Sequence, residues 1–236
     1  MRYEIRREGS EYAIFDENGN QISQWYDEIY PYGLVEGKSE YYIVKKGSVF
    51  DRYAIFHRDG DCISGWHRKI IPDGLINGQS EYYLALTDEM FWVIFDVNGR
   101  QISDTFEDIY PDGLVRGESE YYIARRDEKE AIFDKDGNQI SDWFDSVYPY
   151  GLVKGECDYY VGCNRGTCTI YHKSGMMVSP DFPEEYLDKS EVYFRMGDTF
   201  GSLNFDKKYS KESYFVVFKC DIGKVKGENY LTLLNI

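Results

Sequence analysis

The chain has 236 residues, with 42 acidic against 27 basic side chains and a formal net charge of −15. That balance disfavours a general nucleic-acid binder, whose affinity comes from Lys and Arg contacts to phosphate, and no apolar run reaches the length of a membrane-spanning helix. The 23 Tyr and 14 Phe suit half-buried strands, and the opening MRYEIRREGSEYAIF lacks the apolar stretch of a signal peptide, so one all-β domain over residues 1–236, located in the cytoplasm, is expected.

Residues 2–7 (RYEIRR) read as an extra strand ahead of the first full unit. Residues 12–16 (YAIFD) form the next strand, and the DENGN that follows is a tight hairpin turn in which Gly19 takes positive φ. A third strand is expected over residues 21–25 (QISQW). Pro31 then interrupts strand pairing, Gly33 turns the chain, and Leu34-Val35 is a candidate short fourth strand. Residues 41–46 (YYIVKK) pair with residues 53–57 (YAIFH), and the cycle begins again. In each YY pair the alternation of a strand sends one Tyr inward and one outward.

The cycle keeps register. Ile14 to Tyr41, Ile55 to Tyr82, Ile94 to Tyr121, Ile132 to Tyr159 and Leu203 to Tyr230 are each 27 residues apart, and only Ile170 to Val192 departs, at 22. The complementary link from YY to IF varies: 14 residues from Tyr41 to Ile55, 12 from Tyr82 to Ile94 and 11 elsewhere. A fixed span implies packing and a variable one implies a solvent loop. Six repeats result, at about residues 12–45, 53–86, 92–125, 130–163, 169–196 and 202–235. Units of this length need their neighbours to bury a core. The expected architecture is six antiparallel β-meander repeats, with a propeller-like closed ring favoured over an open β-solenoid, because open terminal edges invite aggregation.

Residues that could carry chemistry mostly recur with the repeat. Asp16, Asp96, Asp134 and Asp206 share one position with His57 and His172, which suits a side chain accepting turn N–H groups. The D-x-[ND]-G-N string is too short for an EF-hand and lacks its final Glu. Ser23, Ser64, Ser103, Ser141 and Ser179 also recur, whereas a nucleophile occurs once beside a unique base, so they serve the fold. Cys157, Cys163 and Cys168 lack the C-x2-C knuckle of a zinc site. Cys163 and Cys168 flank one hairpin tip, where a cross-strand disulfide is possible, although ordinary reduced thiols are the expectation for a cytosolic chain. No catalytic residue, metal site or cofactor is expected.

The pattern aromatic-small-Ile-Phe-Asp, two residues, Gly, then Ile, Tyr-Asp-x-Ile and Gly-Leu-Val resembles the WG-repeat family over most of residues 11–161. The Trp-Gly pair that names the family stands here as Tyr12-Ala13, Tyr53-Ala54, Trp92-Val93 and Glu130-Ala131, so the similarity is divergent. The resemblance implies β-strand repeats with recognition surfaces and brings no catalytic residue. Trp25, Trp66 and Trp143 hold one repeat position; they are expected in the inter-repeat core, or else in an exposed row able to stack on a ligand. The leading expectation is a non-catalytic protein-interaction scaffold using the variable YY–IF tips, with Lys46, Phe50 and Arg52 on the longest tip and a protein partner of unknown identity. A glycan-binding module using the Trp row and an enzyme with its site in residues 175–227 are the alternatives.

Overall fold

A computed structural model describes residues 2–47, 50–149, 151–177, 179, 181–184, 191–196, 199–204 and 217–220. In chain order the elements are β1 (Tyr3–Glu8) and β2 (Glu11–Asp16), then β3 (Glu28–Tyr30), α1 (Tyr32–Val35), β4 (Tyr41–Lys46) and β5 (Arg52–His57). They continue as β6 (Lys69–Ile71), α2 (Asp73–Ile76), β7 (Tyr82–Leu86), β8 (Trp92–Asp96) and β9 (Asp108–Ile109). The remainder are β10 (Tyr121–Arg126), β11 (Lys129–Asp134), β12 (Ser146–Tyr148), β13 (Tyr159–Asn164), β14 (Thr167–His172), β15 (Phe182–Pro183), β16 (Glu191–Met196), β17 (Thr199–Asn204) and β18 (Val217–Cys220). The fold is all-β, and the described strands form six antiparallel sheets. The Asp206 turn, Tyr230 and most of the sixth repeat lie outside the described residues.

Two compact units divide the chain: Met1–Glu118 with Lys135–Gly137, and Ser119–Asp134 with Asn138–Ile236. In the first unit β1 pairs β2, and β3-β4-β5 and β6-β7-β8 are three-stranded meanders with the YY strand in the centre. Tyr42 lies opposite Phe56, and Tyr83 opposite Phe95. The second unit repeats the hairpin in β10–β11 and β13–β14, with Tyr122 opposite Phe133 and Tyr160 opposite Tyr171. In all four pairs the rings stack, with centroids 5.3 to 5.8 Å apart. The second Tyr of every YY pair is buried and the first only half-buried, as the alternation requires.

Turn chemistry follows the repeat. Gly19, Gly60, Gly99 and Gly137 have φ of 82°, 90°, 76° and 84°, a region closed to most side chains. Asp16 Oδ1 accepts the N–H groups of Asn18 and Asn20 at 2.9 and 2.8 Å, Asp96 those of Asn98 and Arg100, and Asp134 that of Asn138. His57 and His172 accept the equivalent N–H through Nδ1, at 3.4 and 3.2 Å. Each recurrent Ser closes a gap in the ladder. Ser23, Ser64, Ser103, Ser141 and Ser179 accept the N–H of Ile14, Ile55, Ile94, Ile132 and Ile170 at 2.8 to 3.0 Å.

Two expected strands take other forms. Residues 21–26 pair with the preceding strand through isolated bridges, Phe15↔Gln21 and Tyr12↔Tyr26, and between them the Ser23 hydroxyl takes the place of a backbone partner. The strand that completes each of the first four meanders is instead the EIY-type segment after it, three residues long in β3, β6 and β12 and two in β9. The Leu34-Val35 stretch is no strand: it is the helical turn α1, and its counterpart is α2, each preceded by a Pro at its N-cap position. A β-carbon on Gly33 would stand 2.6 Å from the Ile76 carbonyl oxygen, and one on Gly74 would overlap that of Val115. Ser80 Oγ donates to the Leu114 carbonyl at 2.7 Å. Successive repeats of this unit thus meet backbone to backbone.

In the first unit the core lies between consecutive sheets. Ile14, Tyr26, Leu34, Tyr42, Val44, Ala54 and Phe56 form one cluster from the first two, and Ile55, Leu75, Tyr83 and Ala85 form the next. Each of these two clusters draws its side chains from more than one strand and from a helical turn.

The cysteines depart from expectation: Cys163 and Cys168 are joined by a disulfide. The reason is register, since the two residues are direct partners in the β13–β14 ladder. Cys157, in a position held by Ser39, Ser80 and Ser119, forms no disulfide, and burial pushes its thiol up to about 11.

Candidate functional site

The two longest YY–IF tips lie in the first unit. The β4–β5 tip is anchored where Gly47 N–H donates to Asp27 Oδ2 at 2.8 Å, and it exposes Phe50 by 74%. Lys45 beside it bonds Glu28 at 2.8 Å and Asp51 at 3.1 Å, and these carboxylates hold its ammonium well above the ordinary lysine range. The β7–β8 tip is closed by Thr87 N–H to Phe91 O at 2.9 Å and Met90 N–H to Thr87 O at 3.1 Å. Met90 sits at φ 69°, a conformation costing a side chain about 1–2 kcal/mol, and is 56% exposed next to Phe91 at 41%. At tips of the other hairpins the left-handed positions fall to Gly9, Asp127, Glu128, Arg165 and Gly166.

The two tips are linked. Arg52 Nη1 bonds Asp88 Oδ1 at 2.6 Å, which lowers the Asp88 carboxyl, and Arg68 reaches the same oxygen from 3.7 Å and the Met90 sulfur from 3.5 Å. Beside this link runs a groove of about 540 Å³ lined by Asp51, Tyr53, Arg68, Lys69, Ile70, Leu86 and Met90. Lys69 has its ammonium 5.5 Å from the Trp92 ring centroid and no carboxylate partner among the described residues. The groove therefore joins an apolar floor to cations at its edge.

Of the sequence-predicted residues, Lys46, Phe50 and Arg52 stand on the β4–β5 tip. The Trp residues do not enter the core, contrary to the first expectation for them. Trp66 is 40% exposed, and Trp25 and Trp143 are half-buried, each edge-on to a Phe: Phe56, Phe15 and Phe133. The neighbouring position, Tyr26, Phe106 and Phe144, turns inward in their place. None of the three lines the groove.

Sequence reasoning missed Arg68 and Lys69. In aligned copies their positions hold Asp27-Glu28, Glu107-Asp108 and Asp145-Ser146, so the second repeat alone reverses the charge of this pair. In the first and fourth repeats the acid serves the tip. Asp27 accepts the Gly47 N–H, and Asp145 accepts the Arg165 N–H at 2.6 Å and pairs with Lys129 at 2.9 Å.

Among the described residues no group of three or more His, Cys, Asp and Glu side chains is placed to hold a metal ion. No helix of the described residues is long and apolar enough to cross a membrane.

No family model and no curated protein matches the chain. Solved structures with some likeness include a eukaryotic initiation factor (9% identity, TM-score 0.42, covering 77% of this chain and 51% of that one). Others are the C-terminal WD40 domain of Sif2 (10%, 0.35, 88% and 78%) and BamB from Moraxella catarrhalis (11%, 0.33, 85% and 66%). The chain spans about half the length of the initiation-factor chain. At these values the likeness transfers no function.

Proposed function

We propose that the protein is a divergent WG-repeat chain, folded as one repeat domain, that acts as a non-catalytic protein-interaction scaffold. The observation that carries the reading is the pair of linked tips: Phe50, Met90 and Phe91 are large apolar side chains held in solvent beside a groove. Apolar surface concentrated in this way marks interaction sites. A photo-crosslinking amino acid placed at position 50 should trap a protein partner in cells, whereas the same group at position 176 on the second unit should not. Replacing residues 47–51 with a two-residue turn should leave the melting temperature within about 2 °C, since loop length costs little closure entropy, and should abolish that capture. Equal capture at both positions would sink the reading.

The exposure of Trp66 supports the glycan-binding alternative, and retention on an immobilised oligosaccharide that Trp66→Ala removes would favour it. An enzymatic site in residues 175–227 would fall largely outside the described residues.

A further inference from the structure

The groove beside Arg68 and Lys69 has the chemistry for one kind of partner segment. Resting on the scaffold reading above, we infer that this groove binds an extended acidic peptide: an apolar side chain on Ile70, Leu86 and Met90, and a neighbouring Asp or Glu carboxylate on Lys69 and Arg68.

Charge complementarity and the logic of the repeat support this occupant. In the first and fourth repeats a carboxylate at the Arg68 position meets the N–H groups of the adjacent tip. In the second repeat that carboxylate is missing and a cation stands instead, on a chain whose net charge is −15. Arg68 is partly used by Asp88 at 3.7 Å, a separation that leaves guanidinium donors free for a second carboxylate. Among the described residues Lys69 has the Trp92 ring and no carboxylate. Asp51, the one acid in the lining, is taken up by Lys45 at 3.1 Å. The anionic remainder of the surface repels a wrongly docked acidic segment, so its approach is focused on this site. The apolar part is equally local: Met90 and Ile70 flank the cations, and an exposed methionine adapts to differently shaped side chains.

The test is selection from a displayed library of random heptapeptides on the full-length protein, followed by titration of a fluorescein-labelled selected peptide. Wild type should enrich peptides with one large apolar residue next to Asp or Glu, and affinity should fall with added salt. Arg68→Asp with Lys69→Glu restores the charges of the first repeat, so the fold has a precedent for it. This double variant should weaken the labelled peptide at least about ten-fold, a loss expected for charge-assisted contacts. Met90→Gly, which relieves the backbone, should weaken it while leaving the salt dependence unchanged. Enrichment of basic or neutral peptides, no enrichment at all, undiminished binding by the double variant, or displacement by a single-stranded oligonucleotide as effective as by unlabelled peptide would each overturn the inference. If crosslinking at position 50 still captures a partner in any of those cases, the scaffold reading stands and the acidic peptide alone is wrong; if both are lost, the scaffold reading falls with it.

Discussion

Replacing Ser103 with Ala tests whether the recurrent serine closes the sheet ladder. Its hydroxyl accepts the Ile94 N–H at 2.9 Å and donates to the Asp104 carbonyl at 2.8 Å, and both Ser103 and Ile94 are buried. Alanine fits the space but strands the Ile94 N–H away from water. A bare buried donor costs about 1–3 kcal/mol, so about 2 kcal/mol is expected here. For a chain of this size each kcal/mol moves the melting temperature by about 2–4 °C, giving a fall of about 4–8 °C by calorimetry and a matching shift in urea midpoint. The exposed Ser174, whose hydroxyl meets the His172 ring at 2.8 Å, is the control, and its alanine variant should lie within about 0.5 kcal/mol of wild type. An unchanged melting temperature for Ser103→Ala would refute the ladder argument for all five serines.

The buried hydroxyls of Tyr42 and Tyr83 meet no protein hydrogen-bond partner. Tyr83→Phe should therefore be neutral or stabilising by up to about 1 kcal/mol in urea melts, and a clear loss would mean that the hydroxyl is satisfied. Stability should also fall at both ends of the pH range. The Asn20 side-chain amide, with the Asn20 and Asn18 backbone N–H groups, holds Asp16 below its ordinary value; in Asp96 burial opposes the N–H groups of Arg100 and Asn98, which prevail. The stability these lowered carboxylates confer is present above about pH 4 and is lost as pH drops through their folded values. Tyr160, pushed up to about 12 by burial, and Tyr30, raised to about 12 by Glu28, act in the opposite sense: full stability below about pH 10, lost as pH rises towards 12. Denaturant midpoints across the range check both limbs. Reductant should lower stability by no more than about 2 kcal/mol, because the Cys163–Cys168 loop is short and its ends already pair; alkylation of freshly extracted protein reports whether the bond forms in its own compartment.

The turns and caps were legible because their residue types have one physical use: glycine at positive φ, and Asp or His to receive an N–H. The serine was legible as structural from its recurrence. Its consequence was not, since a side chain that substitutes for a ladder bond breaks the QIS strand without altering its apolar pattern. The EIY strand is too short to show periodicity. The Leu34-Val35 turn looks extended by composition, yet it closes a helical turn in which the Val35 N–H bonds the Pro31 carbonyl at 2.8 Å. Trp25, Trp66 and Trp143 were misplaced because size favours burial, while the inward position is one residue later. The charge reversal at Arg68-Lys69 was visible in the aligned copies; its meaning required the tip geometry that the acids serve.

The contact of Gly74 with Val115 and the Ser80 bond to Leu114 involve main-chain atoms on one or both sides. Their spacing is consequently indifferent to which apolar residues fill the adjoining layers. A duplicated unit carrying this glycine and serine would seat against its predecessor at once, with no fitted side-chain interface to acquire first. The outer hairpins then drift independently of the seam, which is how one repeat can carry Arg-Lys where its neighbours carry acids and still keep their pitch.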